Sequence, residues 1–471
     1  CSGQIKRPIK WTAERTESFQ TDAHGRDHNT IAEMGFDSEN KITALRVRTD
    51  ANLGAYLSTF STCVPTYLYG TLLQGLYTTP SIHVEVNASV TNTTPVDAYR
   101  GAGRPEATYL LERLLDTAAK ELSEDPSELR LKNFIPAFDG VDQPGYQTQV
   151  ALQYDSGDYE TVLKKVLNLA DYNALLKERD SSRENGKLVG VGFSTYIEAC
   201  GIAPSAVVGS LGARAGLYES SNIRVEPTGK VTVFTGSHSH GQGHETTFAQ
   251  LVADELGLPF EDVEIVHGDT DKIPFGMGTY GSRSLAVGGS AIFKSIEKIK
   301  EKGAKIAAHL LEASAEDLKY EEGKWTVKGT DKSVGFGEVS LAAYVPHNFP
   351  EGMEPGLDAT SFYDPGNFVY PFGAYIAVVE VDPENGSVTM KKFLTCDDCG
   401  NIINPMIVEG QIHGGLAQGI GQAILENASY SETGQLNTSS LMDYALPRAD
   451  DLPMYDLSSN VTPCPHNPLG A

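Results

Sequence analysis

Three glycine-rich segments carry most of the residues in this chain that could do chemistry. They run from Gly236 to Glu245, from Gly276 to Ser284 and from Asp397 to Gly421. Glycine lacks Cβ and adopts positive φ easily, so several backbone N–H groups can converge on one anion. Each segment opens or lines a predicted helix, whose N-terminal end adds partial positive charge. The pattern predicts a single anion-bearing ligand wrapped by backbone.

The second segment offers hydroxyl groups and one cation. Thr279, Ser282 and Ser284 supply the hydroxyls, and Arg283 supplies the cation. None of the segments has the G-x-x-x-x-G-K-[ST] pattern, which disfavours a P-loop nucleotide site, and a Rossmann dinucleotide site is matched only weakly. Taken alone, each loop is equally consistent with simple chain reversal.

Histidine and cysteine provide two weaker metal hypotheses. His238, His240 and His244 fall close together, but no helical carboxylate–histidine pattern accompanies them. Hydrogen bonding to the loop or its ligand is the favoured interpretation, and no metal-ligating set is predicted. Cys396-Asp-Asp-Cys399 could be redox-active or half of a zinc site, but it lacks a second pair. Two structural thiols in a reducing compartment fit better.

Composition limits the possible functions. The 471 residues suffice for two or three domains at roughly 150 residues each. There are 37 Lys and Arg residues against 62 Asp and Glu residues, giving a net charge of −25 that disfavours nucleic-acid binding. No apolar run approaches the about 18 residues of a membrane helix. The chain opens at Cys1 and stops in the Gly/Pro loop at Ala471, so we expect both ends to be cuts.

The pattern of apolar residues predicts α+β structure. Predicted strands and helices are 42–50, 82–90, 230–235 and 263–267 (strands), 105–122, 159–178 and 246–256 (helices), a long helix reaching about 313, and a hairpin of 375–381 with 388–394. The change of pattern along the chain predicts a first domain at 1–137, a connector at 138–187 and a second domain at 188–471.

One further motif points to a particular protein family. It is the segment Asp97-Ala-Tyr-Arg-Gly-Ala-Gly-Arg-Pro-Glu106. It is similar to the active-site loop of molybdenum hydroxylase large subunits (the xanthine dehydrogenase/aldehyde oxidase family), in the carbon monoxide dehydrogenase-like form II. The segment Gly241–Thr246 resembles that family's pterin loop, Thr279–Ser284 its dinucleotide phosphate segment, and Asp397–Gly421 its later cofactor loop. These matches follow the family's order along nearly the whole chain.

The resemblance implies a two-lobed α+β architecture that binds molybdenum–molybdopterin cytosine dinucleotide between the lobes. It implies a cytoplasmic oxidoreductase subunit that hydroxylates or oxidises a small aldehyde or N-heterocycle using water. Electrons would pass to a [2Fe-2S] small subunit and an FAD-binding medium subunit, in a dimer of heterotrimers. The implied catalytic residues are Arg100, Gly101 and Ala102, and the implied cofactor-binding residues are Gly241, Gln242, Gly243, His244, Thr279, Ser282, Arg283, Ser284 and Gln418.

Departures from the family pattern leave alternatives open. Copper-dependent carbon monoxide oxidisers carry a cysteine where Gly101 stands, because copper(I) prefers a thiolate, so that activity is retained only as an alternative. Ala102 replaces an aromatic residue of purine hydroxylases, which argues against xanthine. The family's Gly-Gly-Phe-Gly loop and general-base Glu would lie before Cys1 and beyond Ala471, so we name no base and expect the isolated chain to be inactive. A catalytically inactive cofactor-binding homologue and an unrelated phosphate-ligand binder are the remaining hypotheses.

Overall fold

The computed structural model describes residues 1–202 and 204–471. Its α-helices are α1 (Ser2–Ile5), α2 (Arg15–Thr21), α3 (Arg104–Leu122), α4 (Pro126–Asn133), α5 (Tyr159–Leu169), α6 (Tyr172–Glu184), α7 (Ser205–Ser210), α8 (His244–Leu256), α9 (Ser290–Leu311), α10 (Phe336–Tyr344) and α11 (Pro405–Ile424). Short π-helical turns cover Val64–Leu68 and Ser284–Gly289, and 3₁₀ turns cover Phe260–Asp262, Ala315–Asp317 and Ala449–Asp451.

The strands form small, separate sheets. They are β1 (His28–Phe36), β2 (Ile42–Asn52), β3 (Ile82–Ser89), β4 (Tyr146–Gln147), β5 (Gln153–Tyr154), β6 (Leu188–Ile197), β7 (Glu219–Val225), β8 (Val231–Thr235), β9 (Val263–Val266), β10 (Leu318–Glu321), β11 (Lys324–Val327), β12 (Ser333–Gly335), β13 (Ala359–Tyr363), β14 (Phe372–Val381), β15 (Val388–Asp398) and β16 (Tyr455–Asn460). The sheet orders are β1-β2-β3, β4-β5, β13-β7-β8-β9, β10-β11-β12 and β16-β15-β14-β6. The mixture of helix and strand confirms the α+β prediction.

The pairing of the strands follows from which side chains are buried and from the residues in the turns. Strand β2 alternates buried and exposed side chains, as expected for a strand with one face on a core. It pairs antiparallel with β1 and parallel with β3. The predicted hairpin forms antiparallel β14 and β15, joined through Gly386 at φ 75°. Both strands are longer than predicted, and β15 ends at Asp398, beside the third glycine-rich loop.

Two main hydrophobic cores support these sheets. The first contains Leu73, Leu115 and Val162 together with Ile376 of β14. The second contains side chains of the β13-β7-β8-β9 sheet, α8, α9 and the β10-β11-β12 sheet. Helix α5, in the predicted connector, therefore packs in the same core as strand β14 of the predicted second domain. The boundaries 1–137, 138–187 and 188–471 stay a prediction.

The region predicted as one helix over 159–178 is two helices. Helix α5 ends at Leu169, and α6 begins at Tyr172 after Asp171, which has a φ of 41°. The Asp171 carboxylate accepts a hydrogen bond from the backbone N–H of Ala174. Asp171 therefore acts as an N-cap and starts a new helix, where the apolar spacing alone suggested continuity.

A buried ion pair attaches α3 to the β6-containing sheet. Arg130 Nε donates to Glu112 Oε2 over 2.9 Å, and the backbone N–H of Thr195 donates to the same oxygen over 2.7 Å. Arg130 is fully buried, and nearby Glu112 helps to keep its pKa above the ordinary value despite the opposing effect of burial. This network fixes α3, whose first turn contains the last three residues of the Asp97–Glu106 segment.

None of the helices in the described ranges combines the length and the hydropathy that crossing a bilayer requires.

Candidate functional site

The Asp97–Glu106 segment forms a tight loop that runs into the first turn of α3 at Arg104. Gly101, Ala102 and Gly103 have φ values of 94°, 42° and 87° in succession. For Ala102 this left-handed conformation is uncommon, and it persists only where surrounding contacts hold it. The backbone N–H of Ala102 donates to the Tyr99 carbonyl over 2.6 Å. A Cβ on Gly103 would lie 2.6 Å from the Val64 carbonyl oxygen, so the loop sits directly on neighbouring backbone.

Arg100 extends from this loop to α11. Its Nη2 donates to the Gln411 carbonyl over 3.3 Å. A Cβ built on Gly414 or Gly415 would lie 3.8 Å or 3.6 Å from a guanidinium nitrogen, so the Arg100 side chain lies against this face of α11. The helix begins at Pro405, and the side chain of Asn404 caps it by accepting from the backbone N–H of Ile407.

A cavity of about 400 Å³ brings the Arg100 loop and the first glycine-rich loop together. Its lining residues are Arg100, His240, Gly241, Gln242, Gly410, Gln411 and Gly414. Gly241 and Gly243 have φ values of 100° and 81°, and a Cβ on Gly243 would lie 2.7 Å from Ile407 Cδ1 on α11. The glycines therefore allow both the positive φ and the close approach to α11.

The imidazoles near this cavity form a cluster. The His238 ring lies 4.8 Å from His240 and 5.2 Å from His267, centroid to centroid. His267 Nε2 contacts Glu245 Oε1 at 2.7 Å. Burial lowers the pKa of His244, which begins α8 and whose Nδ1 is buried without a hydrogen-bond partner. A neutral His244 presents an unsatisfied nitrogen, which fits a residue waiting for a polar ligand.

The second glycine-rich loop lies between β9 and the π-helical turn at Ser284. Thr279 Oγ1 and Ser284 Oγ are 3.0 Å apart, and Ser282 has a φ of 55°. The Ser282 carbonyl accepts from the backbone N–H of Gly201 over 3.0 Å. The hydroxyls of Thr279 and Ser284 therefore meet at the start of a helical turn, where an anion is favoured.

The Arg283 side chain makes its contacts within the protein. Its guanidinium is buried and pairs with the buried carboxylate of Glu219 over 3.0 Å. It also donates to the carbonyls of Leu217, Tyr218 and Gly278. The side chain therefore holds the loop against β7, and a direct role of Arg283 in binding a cofactor stays a prediction.

A smaller cavity of about 150 Å³ includes Ser282. It is lined by Asp155, Ser156, Cys200, Ser282, Leu285, Ala286, Val369, Tyr370, Pro371, Phe372, Asp398, Cys399, Gly400, Thr462, Cys464 and Ala471. Burial raises the pKa of the Cys399 thiol to about 11 and that of Cys464 to about 12, and it raises that of Cys200 as well. Cys399 lines this cavity while Cys396 is buried on β15, and both are free thiols.

Several charged side chains lie next to the Arg100 loop. Arg26 donates through Nη2 to the Arg100 carbonyl, and its guanidinium carbon lies 4.6 Å from the centre of the Tyr99 ring. Both carboxylate oxygens of Glu106 are buried without a hydrogen-bond partner. Arg104 Nε lies 3.3 Å from Glu198 Oε1, and burial raises the pKa of Glu198 to about 7. Arg26 and the Arg104–Glu198 contact therefore hold the loop in place, whereas the Glu106 carboxylate is buried beside them without a partner.

Gln418 lies on α11, one helical turn after Gly414 and on the same face. Its Nε2 donates to Gln422 Oε1 over 3.3 Å. Neither cavity includes Gln418 in its lining. The structure thus brings Arg100, Gly241 and Gln242 together, places Ser282 at a second cavity and leaves Gln418 further along the helix.

Several residues of the site had no signal in the sequence. Glu198 and Arg26 reach the Arg100 loop from distant strands and loops, so no local motif marks them. Glu106 was visible as the last residue of the motif, although its burial was not. Gln411 could have been found, because it lies on the α11 face that carries Gly414 and Gln418.

The arrangement suits a polar, anionic ligand. Backbone groups from loops with positive φ, the hydroxyls at Ser284 and the helix N-termini supply dipoles, while Arg100 supplies a charge beside a cavity. In the ranges 1–202 and 204–471, the grouping close enough to hold a metal directly is Asp155 with Cys464 and His466, away from the histidine cluster. A cofactor that brings its own metal fits the first cavity better than a metal bound by these histidines.

Family models of molybdopterin cofactor-binding domains match residues 1–134 and 165–453. The chain is 42% identical to the carbon monoxide dehydrogenase large chain of Hydrogenophaga pseudoflava, covering 99% of this chain and 58% of that one. It is 33% identical to the nicotine 6-hydroxylase large subunit of Paenarthrobacter nicotinovorans, covering 98% and 56% respectively. The chain therefore spans somewhat over half the length of these relatives.

Solved structures are similar over the whole chain. The Cu,Mo-CO dehydrogenase in its carbon monoxide reduced state superposes with a TM-score of 0.92 at 36% identity, covering 100% of this chain and 59% of that one. Quinoline 2-oxidoreductase from Pseudomonas putida 86 superposes with a TM-score of 0.94 at 34% identity, with the same coverage. These matches confirm the resemblance and the fold type predicted from the motifs.

Proposed function

Since the chain belongs to the family of molybdopterin cofactor-binding domains, we propose that it is the cofactor-binding part of a molybdenum hydroxylase large subunit. The reaction is hydroxylation or oxidation of an aldehyde or N-heterocycle, with water as the oxygen source. The observation that carries the proposal is the shared cavity, where Arg100 of one motif and Gln242 of another meet against α11.

Backbone and hydroxyl groups hold the cofactor in this proposal. Gly241, Gln242 and Gly243 contribute N–H and amide groups at the first cavity, and His244 offers its unpartnered Nδ1. Thr279, Ser282 and Ser284 face the phosphates with hydroxyls at a helix start, Arg283 holds their loop through Glu219, and Gln418 extends the α11 face. The bound molybdenum centre would supply the two-electron oxidation chemistry.

Arg100 is the residue that acts on the substrate. A guanidinium beside the reacting centre stabilises negative charge that develops on a substrate oxygen, and it does so most strongly where water is excluded. The small side chain of Ala102 leaves space for an organic ring or chain, whereas the space that a side chain on Gly101 would take is filled by Pro105. Arg26 holds the backbone of Arg100 through its carbonyl, and the Gln411 carbonyl of α11 positions the guanidinium before substrate arrives.

The form of the cofactor and the partner subunits are inferred from similarity to other proteins. We infer the cytosine dinucleotide form, an FAD-binding medium subunit and a [2Fe-2S] small subunit, assembled as a dimer of heterotrimers in the cytoplasm. Partner subunits are supported by similar proteins that are a large chain, a large subunit and a dehydrogenase complex subunit gamma. The cytosine dinucleotide form is what the motif resemblance implies.

Carbon monoxide oxidation is the second candidate, because a relative named carbon monoxide dehydrogenase is 42% identical. The loop argues against a copper-dependent form of it. A thiolate is the ligand that copper(I) prefers, and residues 97–106 contain no cysteine. A Cβ on Gly101 would lie 2.3 Å from Pro105 Cγ, so this backbone leaves no room for a cysteine there.

The test uses the full protein with its native partners. Molybdenum and acid-released cytidine nucleotide are measured first, and reduction of a dye is then followed with aldehydes, N-heterocycles and carbon monoxide. One cofactor per chain with dye reduction by an organic substrate is expected. Turnover with carbon monoxide alone would support the second candidate, and cofactor without any turnover would support an inactive homologue. Absence of molybdenum and nucleotide would sink the assignment.

A further inference from the structure

A second polar cluster lies where the C-terminal segment meets the first core. It consists of Asp155, Cys464 and His466, whose potential ligand atoms all lie within 4.8 Å of one another. Asp155 and Cys464 are buried, and His466 is partly buried. The side chain of Asp155 is only 3% exposed. The proposed cofactor chemistry uses none of these three side chains.

Asp155 is held in place through one oxygen, and its carboxylate also contacts Cys464 and His466. Oδ1 accepts from the backbone N–H of Ser156 over 2.8 Å, which fixes the carboxylate. Oδ2 is buried, His466 Nε2 lies 3.4 Å from it, and the Cys464 thiol hydrogen-bonds the carboxylate. A buried carboxylate is costly without a compensating positive charge, so a cation that replaces the thiol proton would stabilise it.

His466 has the hydrogen-bond pattern of a metal ligand. Its Nε2 lies 3.0 Å from the Phe368 carbonyl, so Nε2–H donates to that oxygen, and Nδ1 is buried without a partner. A histidine that binds a metal through one ring nitrogen commonly donates from the other to a carbonyl, which fixes its tautomer. The carbonyl of Phe368 therefore leaves a lone pair available on Nδ1.

Cys464 completes a mixed donor set. Burial and the nearby Asp155 carboxylate raise the pKa of its thiol, whereas the backbone N–H groups of His466 and Asn467 act in the opposite direction. Those N–H groups would stabilise a thiolate if a cation replaced the proton. On binding, the thiol proton leaves to solvent and the sulfur keeps its electron pair for the metal.

The geometry points to a zinc(II)-type site formed by one sulfur of Cys464, one ring nitrogen of His466 and one oxygen of Asp155. Zinc(II) takes sulfur, nitrogen and oxygen ligands in four-coordinate geometry. Bond lengths of about 2.0–2.3 Å require the ligand atoms to close by about 1 Å, which side-chain rotation can supply. Asp155 and Cys464 line the smaller cavity, which also includes Cys399 and could admit a fourth ligand. The ion would tie the segment ending at Ala471 to the first core.

The experiment compares metal content and coordination in the full protein. After chelation, the protein is titrated with zinc(II) and, separately, with cobalt(II), whose thiolate charge-transfer absorption reports a sulfur ligand. One equivalent per chain is expected. Cys464→Ser, Asp155→Asn and His466→Gln should each weaken binding by more than about 100-fold, beyond the effect of removing an outer-shell partner. Cys1→Ser and His309→Gln, which change an exposed cysteine and histidine outside the cluster, should bind like the wild type.

X-ray absorption on zinc-loaded wild type keeps the test independent of variant folding. It should show one sulfur at about 2.3 Å together with nitrogen and oxygen at about 2.0–2.2 Å. A shell of oxygen alone or of several sulfurs, no zinc uptake, or equal loss in the control variants would overturn the site. Molybdenum is measured on the same samples. Molybdenum without zinc would refute only this inference, and zinc without molybdenum would refute only the proposed function.

Discussion

Gly103 is the position where the structure makes the sharpest prediction about the Arg100 loop. Its φ is 87°, and an added Cβ would lie 2.6 Å from the Val64 carbonyl oxygen, 2.8 Å from the Tyr69 nitrogen and 3.0 Å from the Leu68 carbonyl carbon. These are backbone atoms of a buried segment, so they cannot move aside as the end of a flexible side chain can. Gly103→Ala should therefore displace the loop that carries Arg100.

The magnitude follows from comparison with Gly186, which has a φ of 81° and nothing within 4 Å of an added Cβ. Gly186→Ala should cost only the left-handed penalty of about 1–2 kcal/mol. Gly103→Ala should add about 1–3 kcal/mol for overpacking, giving a total of about 2–5 kcal/mol.

The assay measures thermal unfolding and bound molybdenum for both variants in the full protein. Gly103→Ala should have the lower Tm of the two, by about 2–4 °C for each additional kcal/mol. It should also retain less molybdenum, whereas Gly186→Ala retains the wild-type amount. Equal Tm values, or full molybdenum content in Gly103→Ala, would refute the reasoning that backbone contact fixes this loop.

Three further predictions concern charged groups. Because burial raises the folded pKa of Glu198 to about 7 from an ordinary value of 4.5, its contribution to stability falls as pH rises between these values and stays low above 7. Glu198→Gln should flatten the dependence of Tm on pH across that window, and an unchanged slope would contradict the assignment. Arg283→Met should lower stability by about 3–5 kcal/mol in urea unfolding by leaving Glu219 buried without its partner, with partial recovery in the Arg283→Met/Glu219→Gln double variant. No recovery would mean that the pair is not the cause. Arg100→Ala should reduce kcat/KM by about 10²–10³ with molybdenum content kept, and Arg100→Lys should recover only part of it, which steady-state kinetics would check.

Local chemistry explains which elements the sequence could predict. Strand β2 and the hairpin of β14 and β15 follow from alternation and from the turn at Gly386. The break at Asp171 was missed because apolar spacing continues across it, although an aspartate N-cap was a readable signal. Strand β16, which pairs parallel with β15, depends on long-range packing that no local pattern marks.

In the candidate site, too, some features follow from residue type and others depend on tertiary contacts. Positive φ at Gly101 and Gly241 and a helix start near Ser284 follow from residue type. The burial of Arg283 could not be predicted, because its partner Glu219 lies on a strand far away in sequence. Asp155 and Cys464 are likewise brought together only by the tertiary fold.

Hydrogen exchange tests the central claim most directly, which is that separate loops converge on one cofactor. The full protein is prepared from a host that makes the molybdenum cofactor and from one that does not, and amide exchange is compared segment by segment. Amides of 240–244, 279–284 and 411–418 should be protected together in the molybdenum-loaded sample, while those of the β10-β11-β12 sheet should be unchanged. Molybdenum loading without a change in exchange at these three segments would contradict the claim.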